Sequence, residues 1–415
     1  MKPSGIEWIG DIPDDWEVRK LLSLFKEHKD RNKNLEEQNL LSLSYGKIKR
    51  KDINNNDGLL PASFETYNIV EKGDIVFRLT DLQNDKRSLR TGIVTQRGII
   101  TSAYVTIRPK IKLDSRFYHY LYHMYDICKV FYGMGDGVRQ GMGFEDLKNI
   151  PTLIPPLKTQ QKIADYLDEK CGEIDATIAK QKEIIEKLKA YKQSLISETV
   201  TKGLDKSAPL KPSGIEWIGD IPDDWEVRKL LSIFKEHKDR NKNLEEQNLL
   251  SLSYGKIKRK DINNNDGLLP ASFETYNIVE NGDIVFRLTD LQNDKRSLRT
   301  GIVTQRGIIT SAYVTIRPKI RLDSRFYHYL YHMYDICKVF YGMGDGVRQG
   351  MGFEDLKNIP TLIPPLKTQQ KIADYLDSKC SQIDKYITEK QNIIQKLDAY
   401  KKSLIFECVT GKHKI

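Results

Sequence analysis

The sequence predicts an α+β protein in which two sheet-rich globular domains are joined and spaced by two long antiparallel coiled-coil helices, with pseudo-two-fold symmetry. Two observations lead to this fold class. The stretch KPSGIEWIGDIPDDWEVRKL begins at Lys2 and begins again at Lys211, 209 positions later. After each copy of IPPL, apolar residues then recur at a helical spacing for about four heptads without a proline.

The repeat is a duplicated domain. Between residues 2–168 and 211–377 only three positions differ, where Leu24, Lys72 and Lys112 correspond to Ile233, Asn281 and Arg321. A repeat of about 200 residues is too long for a solenoid unit and long enough to bury a core of its own. The chain is therefore two tandem copies of one module.

Short strand signals separated by turns fill the first part of each copy. The segments DIVFRL (74–79) and SAYVTIRP (102–109) alternate two sets of side chains, as strands do. Turn-rich sequences at 54–58 and 83–88 interrupt them, and SRFYHYLYHMYDICKVF (115–131) predicts a helix. Trp8 and Trp16 are the apolar anchors of the N-terminal stretch.

The pattern changes to that of a long helix after Pro155 and Pro156, which block further strand pairing, and Thr159 is a candidate N-cap. Steps of four and three residues mark an apolar seam with period 3.5, which is typical of coiled-coil packing. Polar or small residues occupy some seam positions, among them Gln181 and Lys390. The apolar seam residues are Leu167, Ile174, Ile178, Ile185, Leu188 and Leu195, then Leu376, Ile383, Ile387, Ile394, Leu397 and Leu404, and the other seam positions are Cys171, Lys192, Cys380 and Lys401.

Composition favours a soluble protein with a polyanionic partner. The chain is 39% hydrophobic and 30% charged, with a formal net charge of +10. Lysine and arginine that neutralise phosphates release counterions, so this charge favours nucleic acid. No run of about 18 apolar residues and no apolar signal core is present, which predicts a cytoplasmic protein without a membrane partner. The five cysteines lack CxxC spacing, so we expect reduced thiols.

Motifs for catalysis are absent from the sequence. It contains no phosphate-binding loop of the GxxxxGK[ST] type, no GxGxxG between a strand and a helix, and no methyltransferase box. His119 and His123 lie four residues apart, but HYLYH lacks the glutamate of a zinc hydrolase, so we interpret them as structural. We therefore expect a non-catalytic chain with no metal site and no cofactor of its own.

Basic and amide-rich segments are the candidates for contact with DNA. Arginine can bind guanine bidentately, asparagine and glutamine can bind adenine in the same way, and lysine on phosphate gives position without sequence. Asp81, Asp85 and Asp136 interrupt these segments, so they do not form a continuous basic stripe. The candidates in the first copy are Tyr45, Lys47, Lys49, Arg50, Lys51, Arg78, Gln83, Asn84, Lys86, Arg87, Arg90, Arg139 and Gln140, and those in the second are Tyr254, Lys256, Lys258, Arg259, Lys260, Arg287, Gln292, Asn293, Lys295, Arg296, Arg299, Arg348 and Gln349.

Two motifs resemble those of the specificity subunits of type I restriction-modification systems. The first is Trp-x-Gly-x-Ile-Pro-x-x-Trp at 8–16, repeated at 217–225. The second is Ile-Pro-Pro-Leu-x-x-Gln-x-x-Ile-Ala-x-x-Leu-Asp at 154–168, repeated at 363–377. Family members commonly have an acidic residue where this chain has Thr159, and they usually carry two different recognition domains. Here the two domains are almost identical, which predicts a symmetric target.

The resemblance implies the domain plan and the partners. We expect target recognition domains at 1–157 and 206–366, followed by long spacer helices at 158–205 and 367–415. The resemblance also implies binding to a bipartite site on double-stranded DNA, and assembly with two methyltransferase subunits and with restriction-translocase subunits. S-adenosylmethionine, ATP and Mg²⁺ would belong to those partners.

Three alternatives stay open at this stage. The chain could be the specificity portion of another restriction system, or an orphan specificity protein without a nuclease. It could instead be a duplicated coiled-coil scaffold that binds proteins rather than a DNA sequence. A self-sufficient nuclease or methyltransferase is the third alternative.

Overall fold

The structure is a computed structural model that describes residues 1–52, 63–82, 89–134, 141–261, 272–291, 298–342 and 350–415. These residues form two compact units. The first unit comprises Met1–Lys182 and Gln391–Ile415, and the second comprises Glu183–Lys390. Each unit therefore combines the globular part of one repeat with segments of both long helices.

The first repeat contains twelve described strands and three described α-helices. Its strands are β1 (Lys2–Pro3), β2 (Asp11–Ile12), β3 (Glu17–Lys20), β4 (Phe25–Glu27), β5 (Leu41–Ser44), β6 (Lys47–Arg50), β7 (Asn68–Val70), β8 (Ile75–Phe77), β9 (Thr91–Ile93), β10 (Gly98–Ile100), β11 (Val105–Pro109) and β12 (Pro151–Ile154). Its helices are α1 (Ser115–Ile127), α2 (Phe144–Leu147) and the long α3 (Leu157–Lys202). The strands expected at 74–79 and 102–109 and the helix expected at 115–131 are therefore present with shorter bounds.

The second repeat has the same elements in the same order. Its strands are β13 (Leu210–Pro212), β14 (Asp220–Pro222), β15 (Glu226–Lys229), β16 (Phe234–Glu236), β17 (Leu250–Ser253), β18 (Lys256–Arg259), β19 (Asn277–Val279), β20 (Ile284–Phe286), β21 (Thr300–Ile302), β22 (Gly307–Ile309), β23 (Val314–Pro318) and β24 (Pro360–Ile363). Its helices are α4 (Ser324–Ile336), α5 (Phe353–Leu356) and the long α6 (Leu366–Val409). Among the described residues no helix is both long and apolar enough to cross a membrane.

A four-stranded antiparallel sheet lies at the centre of each globular part, in the order β4-β11-β8-β9 in the first unit. Its two faces are covered differently. Ile75 and Phe77 point into the main core with the aromatic face of α1, whereas Val76 packs in a smaller core with Leu43 of β5. Because both faces are buried, the alternation of DIVF separates two cores rather than a core and solvent.

Gly92 allows the hairpin of β5 and β6 to cover this second face. A Cβ atom at Gly92 would lie 2.6 Å from Cδ1 of Leu43 and 3.1 Å from Cδ1 of Ile48. No side chain fits at such distances, so the hairpin can approach β9 closely only over a glycine. The hairpin therefore packs on the sheet through Leu43 and Ile48, which lie over Gly92.

The first long helix begins at Leu157, and the prediction of Thr159 as its N-cap is wrong. The backbone amides of Thr159 and Gln160 instead donate to the carbonyl of Pro156. Pro156 precedes the helix because its ring fixes φ near the helical value at a site where no amide hydrogen is needed. The side chain of Gln160 is buried, donates to the carbonyl of Pro155 at 2.8 Å and accepts from the amide of Asp114 at 3.0 Å. The glutamine of the second motif thus joins the helix to the globular part.

The second tryptophan of the first motif contacts the end of a long helix in each unit. In the first unit Trp16 is buried edge-on against Phe117, and the end of α6 lies against it at Gly411. In the second unit the corresponding Trp225 contacts the end of α3 at Gly203. Each globular part therefore receives the end of the long helix that belongs to the other repeat.

Segments of the two long helices pack against each other within each unit. In the first unit Asp175 contacts Lys401, and Tyr166 stacks on His413 just beyond the end of α6, so residue numbers fall along α6 as they rise along α3 and the two segments run antiparallel. In the second unit Lys192 of α3 contacts Asp384 of α6. The structure places the apolar seam residues on the buried or half-buried side of their helices: Leu167, Ile174, Ile178, Ile185, Leu188, Leu195, Leu376, Ile383, Ile387, Ile394, Leu397 and Leu404.

Candidate nucleic-acid interface

The hairpin of β5 and β6, with its counterpart β17 and β18, presents an exposed basic surface in each globular part. The register pairs Leu41 with Arg50 and Ser44 with Lys47, which leaves a two-residue loop of Tyr45 and Gly46. Both loop residues have positive φ, 47° at Tyr45 and 76° at Gly46. Two consecutive left-handed residues are typical of a type I′ turn, whose twist matches that of the strands.

Tyr45 is a strained and exposed residue at the tip of this hairpin. Tyrosine in the left-handed region costs about 1 kcal/mol relative to glycine. Its side chain is 74% exposed, and Tyr254 in the second repeat is 72% exposed with φ of 48°. No packing gain offsets the strain, so a ring presented to solvent at this place is available to stack on a base.

Three cations follow the tip along β6 and just beyond it. Lys49, Arg50 and Lys51 are all exposed, and none of them forms an ion pair within the described part of the chain. The second repeat presents Lys258, Arg259 and Lys260 in the same way. Exposed cations without an acidic partner can neutralise phosphates at little desolvation cost. The structure thus places five of the predicted residues of each repeat together, from Tyr45 to Lys51 and from Tyr254 to Lys260.

Lys47 is partly engaged within the protein. Its Nζ lies 3.3 Å from Oδ2 of Asp175 on α3, whose Oδ1 is 2.6 Å from Nζ of Lys401 on α6. Lys401 was predicted only as a polar seam residue, and no role was predicted for Asp175. The signal was present in the sequence, because Asp175 and Asp384 occupy the same register after the repeats diverge.

Arg90 and Arg299 were predicted to contact DNA, and the structure corrects this prediction because both side chains are fully buried. The guanidinium of Arg90 donates to the carbonyls of Thr80 at 2.6 Å and of Arg78 and Asp81 at 3.3 Å. Arg299 makes the corresponding bonds in the second repeat. These arginines hold the chain that leads into residues 83–88 and 292–297 and cannot reach a duplex from the interior. The half-buried Arg78 and Arg287 lie beside them.

The remaining predicted contacts lie outside the described residues. They are Gln83, Asn84, Lys86, Arg87, Arg139 and Gln140 in the first repeat, and Gln292, Asn293, Lys295, Arg296, Arg348 and Gln349 in the second. Their roles stay predictions.

His119 and His123 line the cleft beneath the hairpin tip, beside Tyr120 and Cys171. Their rings lie 5.9 Å apart and are half-buried. Burial lowers the pKa of His119 to about 3 and the pKa of His123 to about 4, so both are neutral at physiological pH. Among the described residues no group of three or more His, Cys, Asp or Glu side chains is arranged to hold a metal ion.

Polar contacts fix α1 to the start of α3. Arg116 binds Asp114 at 2.7 Å, Asp165 at 2.8 Å and Asp168 at 2.9 Å, and the hydroxyl of Tyr120 also donates to Asp168 at 2.8 Å. Hydrogen bonds to Asp114 and burial act in opposite directions, and the net effect raises the pKa of Arg116 above its ordinary value. The second repeat has the same cluster around Arg325. The helix and the globular part are therefore joined by a charged cluster in addition to Gln160.

Comparison with known proteins identifies the family. Residues 13–190 and 222–399 each match the family model of the type I restriction modification DNA specificity domain. These matches cover well over half of the sequence, and the chain belongs to this family of type I restriction-modification specificity subunits.

Relatives and solved structures agree with this family over the whole chain. Two relatives from Methanocaldococcus jannaschii are each 24% identical over 429 residues. One carries the name of the MjaX specificity subunit, with 98% of this chain and 96% of the relative aligned. The other is the type I restriction enzyme MjaVIII specificity subunit, with 97% and 94% aligned.

Two solved structures share the fold. A chain solved in work on complex assembly and conformational transition of the type I R-M system has a TM-score of 0.68 at 14% identity, covering 97% of this chain and all 100% of that chain. The HsdS subunit from Thermoanaerobacter tengcongensis has a TM-score of 0.51 at 14% identity, covering 97% and 98%. The resemblance read from the two motifs is thereby confirmed.

Proposed function

We propose that this chain reads a bipartite, palindromic DNA sequence, one half-site with each globular part, and leaves the base pairs between the half-sites unread. The observation that carries the proposal is the duplicated hairpin. Each repeat presents an exposed tyrosine at the tip of the hairpin and three exposed cations along and just beyond its second strand, from Tyr45 to Lys51 and from Tyr254 to Lys260. Two equivalent readers related by a pseudo-two-fold axis recognise inverted copies of one sequence.

The contacts within the proposal divide by chemistry. Lys49 and Lys51 would bind phosphates, Arg50 would bind phosphate or guanine, and Tyr45 would stack on a base or pack against a sugar. Arg78, being half-buried, would contribute only at the margin. Arg90 would take no part in contact with DNA, because its guanidinium is buried and bound to the carbonyls of Arg78, Thr80 and Asp81.

The partners and cofactors follow from the family. We propose that the chain acts in the cytoplasm and supplies sequence recognition to two methyltransferase subunits and to restriction-translocase subunits. S-adenosylmethionine would be bound by the methyltransferases, and ATP with Mg²⁺ by the translocases. The long helices α3 and α6 would set the distance between half-sites and offer docking surfaces, because they are the parts where the two repeats differ most.

Methylome sequencing tests the palindrome. The chain is expressed with its methyltransferase subunits in cells without other methyltransferases, and all methylated positions are mapped. We expect one motif made of two inverted half-sites with a constant number of unspecified base pairs between them. An asymmetric motif would refute the proposal that the target is palindromic. Absence of sequence-selective DNA retention by the assembled complex would favour the protein scaffold instead.

A heptad insertion tests the role of the helices. Seven residues inserted at the same register of α3 and α6 lengthen each helix by about 10 Å, the rise of about three base pairs. We expect the motif to keep its half-sites and to gain base pairs in the gap. Insertion of seven glycine- and serine-rich residues after the exposed Lys206, beyond the helix and its contact with Trp225, is the control and should leave the gap unchanged. A gap that stays constant after the helical insertion would show that the helices do not determine the spacing.

A further inference from the structure

A single carboxylate in each unit joins the hairpin to both long helices. In the first unit Asp175 lies on α3, and it accepts from Lys401 of α6 at 2.6 Å and from Lys47 of the hairpin at 3.3 Å. Three chain segments that are far apart in sequence therefore meet at one side chain. Since Lys47 follows the tip residues Tyr45 and Gly46 directly, this contact acts on the part of the hairpin that carries the proposed reading residues.

The second unit repeats the contact from the opposite helix. Asp384 lies on α6, accepts from Lys192 of α3 at 2.7 Å and lies 3.8 Å from Lys256 of the second hairpin. The repeats differ at neighbouring positions of these helices, where Glu173 corresponds to Gln382. The aspartate and the lysine are nevertheless retained in both halves, so the pairing is reciprocal.

The hairpin tip is also confined by packing. A Cβ atom at Gly46 would lie 3.1 Å from Cβ of Leu89 and 3.4 Å from the ring of His123. The tip therefore rests against Leu89 and α1 on one side and is bound by Asp175 on the other. Burial of Asp175 would by itself raise its pKa, but the hydrogen bonds from Lys401 and Lys47 outweigh burial, and the pKa lies below its ordinary value.

We propose that Asp175 and Asp384 are positioning residues for DNA recognition, each fixing the angle of its hairpin relative to the paired helices. This inference rests on the proposed function and adds a link that it lacked, namely how the spacing helices control the orientation of the reading residues. A base contact tolerates displacements of only a fraction of an ångström, so Tyr45 and Arg50 can select a sequence only on a hairpin held at a fixed angle. The lysine from the other repeat makes this angle depend on the register of the helix pair.

Positioning and simple charge predict opposite results for removal of the carboxylate. An aspartate near a duplex repels phosphates, so its loss should strengthen binding to any DNA if charge alone matters. If the aspartate positions the hairpin, its loss releases the tip, and binding to the correct sequence falls relative to random DNA. The ratio of the two affinities therefore separates the two effects.

The test compares Asp175→Asn with Glu173→Gln in the complex with methyltransferase subunits. Both variants remove one charge from the same helix two positions apart, and repeat two already carries glutamine at the control position. The probes are the methylome-defined duplex and a duplex of the same length and composition with both half-sites scrambled. Releasing one to two tip residues corresponds to about a tenfold loss of the specific-to-random ratio.

We expect that loss for Asp175→Asn, about a hundredfold loss for the double variant with Asp384→Asn, and no change for Glu173→Gln, since distant sites add. Asp175→Glu, which keeps the charge, should recover most of the ratio. Amide hydrogen exchange in the free chain should speed up across Leu41–Arg50 in Asp175→Asn and stay unchanged in Glu173→Gln.

Two failures are distinguishable. A wild-type complex that does not separate the two duplexes overturns the proposed function and this inference with it. A wild-type complex that does separate them, with the ratio and the hairpin exchange unchanged in Asp175→Asn, overturns the positioning role alone.

Discussion

Gly411 should be far less tolerant of a side chain than Gly203, although both end a long helix against the same motif. The change is Gly411→Ala or Gly203→Ala. Both positions have positive φ, 74° in each case, so either alanine costs about 1 kcal/mol of backbone strain. A Cβ atom at Gly203 would meet Trp225 at 3.4 Å, an ordinary contact. One at Gly411 would lie 2.4 Å from Cγ of Pro13 and 3.1 Å from Trp16.

The difference between the two variants isolates the packing of the helix end. Overpacking of a tight site costs about 1–3 kcal/mol, so Gly411→Ala should lower the free energy of unfolding by about 2–4 kcal/mol and Gly203→Ala by about 1 kcal/mol. The assay is urea unfolding followed by tryptophan fluorescence. Gly411→Ala is measured in a background with Trp217→Phe and Trp225→Phe, and Gly203→Ala in a background with Trp8→Phe and Trp16→Phe, so that the signal comes from one unit and the contact under test keeps its tryptophan. Equal losses in the two variants would refute the contact of the α6 end with Pro13 and Trp16.

Three further predictions concern buried polar groups. Replacing Gln160 with leucine removes two buried hydrogen bonds and should cost about 2–4 kcal/mol of unfolding free energy in urea, whereas Gln161→Leu on the exposed side should cost less than about 0.5 kcal/mol. Arg90→Met should lower the free energy of unfolding by about 2–3 kcal/mol and leave the salt dependence of binding to random DNA unchanged. Lys49→Met should leave the free energy of unfolding unchanged and reduce that salt dependence. A reduced salt dependence in Arg90→Met would show that Arg90 contacts DNA. His119 and His123 have folded pKa values of about 3 and about 4, below the unfolded value, so their neutral forms favour folding above about pH 6.5 and this contribution falls as the pH drops toward 4. Stability curves from pH 7 to 4 should therefore decline less steeply in His119→Gln, by at most about 1.4 kcal/mol per pH unit, and an unchanged slope would contradict the burial of that ring.

Local patterns in the sequence were sufficient to predict much of the fold. Alternation identified β8 and β11, and the amphipathic run from Ser115 identified α1, because each signal lies within one element. The same holds for the helical seam, since period 3.5 is a property of the helix alone. The family followed from two motifs whose second tryptophan and glutamine are buried contacts of the globular part.

Contacts between distant segments were not predictable in this way. Arg90 follows a polar segment with the composition of a surface loop, and only the three-dimensional path of Thr80 and Asp81 places acceptors where its guanidinium is buried. Asp175 is one of many acids on α3, and nothing local marks it as the partner of Lys47 and Lys401. The division into units that each take a segment of both long helices likewise depends on pairings about 200 residues apart.

Each long helix ends against a tryptophan of the other repeat, Gly411 against Trp16 and Gly203 against Trp225, and this contact involves none of the residues of the hairpin that we propose to contact DNA. Pro13 and Trp16 hold the end of α6 at Gly411. Tyr45 and the basic residues that follow it take no part in that contact, so substitutions there leave it unchanged. Substitutions in the hairpin would therefore change the DNA sequence that such a chain recognises while the contacts that hold its long helices stay the same. A chain whose two globular parts recognise the same half-site is one outcome of such changes.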